Sequence, residues 1–170
     1  MTRAAAALLI FLGLAAWAGA QGPAPGLSAA DRLRLHRANR TLLADLVSAG
    51  VALGGADRPV ARAETCQESA RVIGIALRKA AEAQDADRVA ELGDHLDHMV
   101  RDGLVPLLDE VRQTTPAESP DGKRLKAVRE GAAGDLDWVR AAIPPAGKVG
   151  DSARVKDVSA KLEGLRQQLK

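Results

Sequence analysis

The chain has 170 residues, with 24 Lys and Arg against 22 Asp and Glu, and a formal net charge of +2. That near balance excludes nucleic acid as a default partner and excludes a polybasic membrane clamp, both of which need concentrated positive charge. Phe11, Trp17 and Trp138 are its only Phe, Tyr or Trp residues and Cys66 is its single cysteine, so stacking platforms, internal disulfides and Cys-pair metal frameworks are excluded too.

The first twenty residues read as a signal peptide. Arg3 opens an apolar run from Ala4 to Trp17, and Ala18-Gly19-Ala20 supplies the small-x-small pattern for cleavage before Gln21. The run falls short of the ~20 apolar residues that span a bilayer. Position 21 is Gln and not Cys, which argues against a lipid anchor. Residues 21–27 form a flexible leader, and the expected location is the periplasm or the outside of the cell, with no stable membrane anchor. Without the leader, Trp138 is the one aromatic of this kind, so residues 28–170 must build a single domain from Leu, Val, Ile and Ala.

Four stretches carry a helical period and a fifth closes the chain. The first runs from Ser28 to Leu53, with a capping box at Ser28 to Asp31 and an apolar face of Leu35, Leu42, Leu46, Ala49 and Leu53, Leu43 lying beside it. Asn39 falls on this face and reads as a register-fixing polar residue. His36 sits among Arg32, Arg34, Arg37 and Arg40 at the solvated edge, which speaks against a haem ligand. Gly54-Gly55 ends the helix.

The second helix is expected to be capped by Asp57, with Pro59 in its first turn and Cys66, Ala70, Ile73, Leu77 and Ala80 inward. A thiol at the middle of that face is expected to be buried and inert, the alternative being an intermolecular disulfide. The third carries Val89, Leu92, Leu96, Val100 and Gly103, then Leu107 and Val111, with a kink or short break expected near Gly103 to Val105 ahead of Pro106. A loop from Thr114 to Gly122 leads to a fourth helix ending at Ile143. Pro144-Pro145 and Gly147 to Gly150 turn the chain into a fifth, whose seam is Val155, Val158, Leu162, Leu165 and Leu169. No segment alternates with the two-residue period of a strand. The expected fold is all-α, an antiparallel up-and-down bundle of four to five helices.

Two features stand out chemically. Glu91, Asp94, His95 and His98 place two imidazoles and two carboxylates at helical spacing, the raw material of a divalent metal site. On a wheel centred on Leu96, however, His95 lies about 100° and His98 about 160° from the core direction. The cluster therefore faces outward, where polar residues are the ordinary state of an amphipathic helix. The second feature is a stripe on the fourth helix: Ala127, Gly131, Gly134, Trp138 and Ala141, about 130° round from its main apolar face. Two helical glycines, each costing about 1 kcal/mol against alanine, invite a packing explanation. The expectation is that the fifth helix docks there with Trp138 as anchor; the competing reading is a mobile fifth helix and a groove for a partner protein. No nucleophile elbow, catalytic triad or phosphate-cradling glycine loop occurs, and no cofactor is implied.

Two passages, LGGADRPVARAETC from Leu53 to Cys66 and RVAELGDH from Arg88 to His95, resemble uncharacterised exported helical proteins of high-GC bacteria. Some of those proteins are encoded near envelope-sensing sigma-factor regulators. The likeness covers the first three helices, leaves the C-terminal third unmatched, and transfers no functional residues. It implies a non-enzymatic role in the envelope, with another envelope protein as partner and the oligomeric state open. The alternative is a periplasmic metal-binding protein built on the His95 and His98 cluster.

Overall fold

A computed structural model describes residues 28–170. The signal peptide, its cleavage site and the leader lie outside the described residues. Those residues fold into α1 (Ala29–Gly54), α2 (Pro59–Glu82), α3 (Ala86–His98), a π-helical stretch (Met99–Leu104), α4 (Val105–Thr114), α5 (Pro120–Arg140), a single turn α6 (Gly147–Gly150) and α7 (Ala153–Gln168). No strand occurs among the described residues, so the all-α class expected from the periodicity is what the chain adopts. The chain divides into two units, one ending at Arg40 within α1 and a body from Thr41 to Lys170.

The body is held by one aliphatic core. Every residue assigned to the inward face of the second helix is buried, and Val60 and Ala63 extend that face by a further turn. Val89, Leu92, Leu96 and Val100 face it from α3 and the π stretch, Leu125, Val128, Ala132, Leu136 and Val139 from α5, and the whole α7 seam from Val155 to Leu169 closes it. Burying one such side chain contributes roughly 1.5–3 kcal/mol, so this cluster dominates the stability of the body.

Three helix junctions depart from the sequence expectation, each for a local reason. Asp57 does not cap α2. The residue before a proline is driven toward extended backbone, so Arg58 (φ −96°, ψ 133°) becomes the last non-helical residue, and Pro59 starts the helix where no N–H is needed. Before Pro106 there is no break. The six residues Met99–Leu104 widen to a π turn, the Val105 N–H bonds to the Val100 carbonyl, and the helix absorbs the missing donor while continuing into α4. α5 begins at Pro120, two residues early, because the Ser119 hydroxyl accepts from the Gly122 N–H at 3.0 Å. It ends at Arg140, short of Ile143.

The largest departure concerns α1. Its predicted seam is only half covered: Leu42 and Leu46 rest against the core while staying partly exposed, and Leu35 is 37% exposed. Leu43, Val47 and Val51 are exposed by 53%, 50% and 72%. Among the described residues, no helix is long and apolar enough to cross a membrane.

Candidate functional site

On α3 the four candidate ligands are in place, but each of three already has a charged neighbour. Arg88 donates to Glu91 at 2.6 Å, Lys161 of α7 reaches Asp94 at 3.0 Å, and His98 Nδ1 lies 3.7 Å from Asp102. Lys161 also pairs with Asp157 at 2.7 Å, and hydrogen bonds to Asp157 and Asp94 raise its affinity for the proton. His95 is half-buried and His98 exposed. Among the described residues, no three or more His, Cys, Asp and Glu side chains come together as a metal-holding group. What the cluster does here is clasp α3 to α7 through Asp94 and Lys161. Below this clasp Gly93 lets the two helices meet, since a Cβ there would overlap the Val158 side chain, with Cγ2 at 2.7 Å.

The α5 stripe does not receive the last helix. α7 is docked, but on the opposite flank of α5: Arg166 pairs with Asp137 at 2.7 Å, Arg140 with Glu163, and Arg129 donates to the Leu169 carbonyl at 2.8 Å. The seam of α7 turns to the common core, and these charge pairs on its margins select the flank. The stripe borders α2 instead. Gln67 covers Gly131 and approaches Asp135 at 3.5 Å, while the Arg78 guanidinium stacks 4.0 Å from the Trp138 ring centroid and donates to the Trp138 carbonyl at 3.0 Å. Ala127, Gly134 and Ala141 are exposed, nothing approaches a Cβ at Gly134 within 4 Å, and Trp138 is 44% exposed. Trp138 thus anchors the α2–α5 contact, a role the sequence assigned to a different helix.

Cys66 is buried against the π stretch, its Sγ 3.7 Å from both the Met99 carbonyl oxygen and Met99 Sδ. Burial pushes its thiol up to about 11 from 9.0, so it stays protonated near neutrality, where a nucleophile needs a thiolate. A second buried polar residue escaped the sequence reading. Asp97 faces the core side of α3 and is matched by Arg101 one turn on, at 2.7 Å. An open cleft of about 280 Å³ lies beside Arg140, Ile143, Pro144, Val155, Lys156 and Ser159, near the lower bound for small-molecule sites.

The feature that asks for an external explanation is the ridge Leu43, Val47 and Val51 on α1. It lies about 100° round the helix from Leu46, which touches the core. The sequence signal was present in two forms. The three residues follow an i, i+4, i+8 row, and positions 46–56 carry no charged residue in a chain that is 27% charged. Comparison with protein-family models, with curated proteins and with solved structures finds no match.

Proposed function

We propose that this chain is an exported, non-enzymatic interaction module of the bacterial envelope, an antiparallel up-and-down helical bundle that uses α1 as its contact element. One observation carries the reading: the body seals its own aliphatic seams, while α1 leaves Leu43, Val47 and Val51 in water. An exposed apolar row on an uncharged stretch has the composition of an interface core, where charged residues are depleted. On the other helices, among the described residues, Ile75 and Trp138 are the exposed large apolar side chains, and solvated ion pairs run beside them. The Ala4–Trp17 run and the Ala18–Ala20 pattern support release into the periplasm or medium, with Gln21 as the mature N-terminus.

Two measurements test this. N-terminal sequencing of the protein from a periplasmic or culture fraction should begin at Gln21; retention in the cytoplasm with Met1 intact refutes export. A photo-crosslinking residue at position 47 should give adducts in the native envelope that the same group at Lys126, exposed on α5, does not give. Equal or absent adducts at both positions refute α1 as the contact element.

A further inference from the structure

We infer that the cleft between the end of α5 and the start of α7 binds a small carboxylate with an apolar body. The inference does not depend on α1 and adds a ligand site on the body of the protein. Arg140, Lys156 and Ser159 line the cleft beside Ile143, Pro144 and Val155, and among the described residues no Asp or Glu lines it. Its lining is therefore cationic in a chain whose charges otherwise nearly balance.

The donors in the cleft are left free for a ligand. Arg140 meets Glu163 and, at 3.6 Å, Asp137, and both contacts use Nη1. Its Nε and Nη2 hold no partner among the described residues. Those two nitrogens share one edge of the guanidinium plane, which takes a carboxylate through two parallel N–H···O bonds. The Lys156 ammonium and the Ser159 hydroxyl also hold no partner among the described residues. Hydroxyls elsewhere in the helices behave differently: Thr65 and Ser69 each donate to the carbonyl four residues back. Ser159 keeps its hydroxyl for the cleft, three residues after Lys156 and so on the same side of α7.

The facing wall is preformed. Pro144 and Pro145 have fixed φ, and Gly150 is buried so tightly beneath them that a Cβ would overlap the Pro144 carbonyl oxygen. The Ile143 N–H donates to the Arg140 carbonyl at 3.1 Å, and the Gly147 N–H to the Asp151 carboxylate at 3.0 Å. Val149 anchors the turn in the core. A ligand entering here orders little chain, which favours binding. At about 30 Å³ per non-hydrogen atom, a volume of about 280 Å³ takes roughly nine such atoms. The polar groups hold the carboxylate, and Ile143, Pro144 and Val155 cover the rest. Inorganic phosphate would leave that apolar wall uncovered.

Titration of hexanoate, an anion of this size, into the full mature chain tests the proposal, followed by amide NMR spectra. Saturable shifts should centre on Ile143, Gly150, Lys156 and Ser159, with a dissociation constant of roughly 10 µM to 1 mM. Acetate, inorganic phosphate and hexan-1-ol should each bind at least about tenfold more weakly, the first two lacking the apolar body and the last the charge. Lys156→Glu should weaken hexanoate at least about tenfold without moving the melting temperature, since the residue is exposed. Lys156→Arg should bind as the wild type does. Arg140→Lys keeps the charge but removes the two-nitrogen edge, and should weaken binding about tenfold. Shifts that do not saturate or that centre elsewhere, hexan-1-ol or phosphate binding as tightly as hexanoate, or indifference to Lys156→Glu overturns the proposal. Val47→Lys should leave hexanoate binding unchanged, so failure of the α1 reading and failure of this one are told apart.

Discussion

Two helical glycines should respond to the same substitution with opposite sign. In an exposed helix interior Gly→Ala gains about 0.5–1 kcal/mol, since alanine loses less backbone entropy on folding. At Gly134 nothing lies within 4 Å of the new Cβ, so the full gain should appear, raising the melting temperature of a body this size by about 3 °C. At Gly93 the same Cβ meets Val158, with Cγ2 at 2.7 Å and Cβ at 3.1 Å. Overpacking costs typically 1–3 kcal/mol, which exceeds the propensity gain, and Gly93→Ala should destabilise by about 1 kcal/mol. Adding Val158→Ala to Gly93→Ala should make the pair less costly than the two single changes added together, because the cavity of one accepts the methyl of the other. Urea unfolding followed by far-ultraviolet circular dichroism gives all four values. The Gly134 result also discriminates between packings: a last helix lying in the α5 stripe would make Gly134→Ala destabilising. Stabilisation by Gly93→Ala equal to that at Gly134 would refute the close approach of α3 and α7.

Three further outcomes are expected. Cys66 titrates at about 11 in the fold against 9.0 unfolded, so below pH 9 its contribution is complete; between pH 9 and 11 the unfolded state binds fewer protons and stability falls by about 2–3 kcal/mol. Urea midpoints across that range should slope less in Cys66→Ala, and equal slopes would refute burial of the thiol. Arg101→Met leaves the buried Asp97 carboxylate without its 2.7 Å partner and should cost about 1–3 kcal/mol, more than Asp97→Asn, measured by thermal melting; the reverse order would refute the pairing. Zinc or copper should leave the melting temperature unchanged, because Glu91 and Asp94 are already held by Arg88 and Lys161; a saturable rise would revive a metal site on α3.

The core was legible because it depends on a period alone. Cys66, Ala70, Ile73, Leu77 and Ala80 on α2, and the α7 seam from Val155 to Leu169, are buried as their spacing requires. Junctions were less legible because they depend on competition between local solutions. Asp57 is a good capping residue, but Pro59 fixes the preceding backbone first. Pro106 should break a helix, yet the widened π turn, with the Val105 N–H bonded to the Val100 carbonyl, carries the helix past the proline without a break. Asp97 was overlooked because its spacing puts a carboxylate on a core margin, and only the side chain of Arg101 makes that position tolerable.

The stripe on α5 and the seam on α1 failed for a shared reason: periodicity says that a face is apolar and not which neighbour covers it. For α5 the decision lies in charges outside the stripe, Asp137 and Arg140 on one side meeting Arg166 and Glu163 of α7. Glycine at 131 admits Gln67 from α2, and Trp138 takes the Arg78 guanidinium on its face. For α1 the same logic runs outward. Its apolar arc extends from Ala49 through Leu46 to Val51, wider than one neighbouring surface can cover, and the body meets only the side bearing Leu42 and Leu46. A helix with two apolar sides and one internal neighbour stays in water only at a cost proportional to the exposed area. The absence of charge from Leu46 to Ala56 keeps that cost recoverable by association. Placing a lysine in this row is the change by which an association role for α1 is most directly lost.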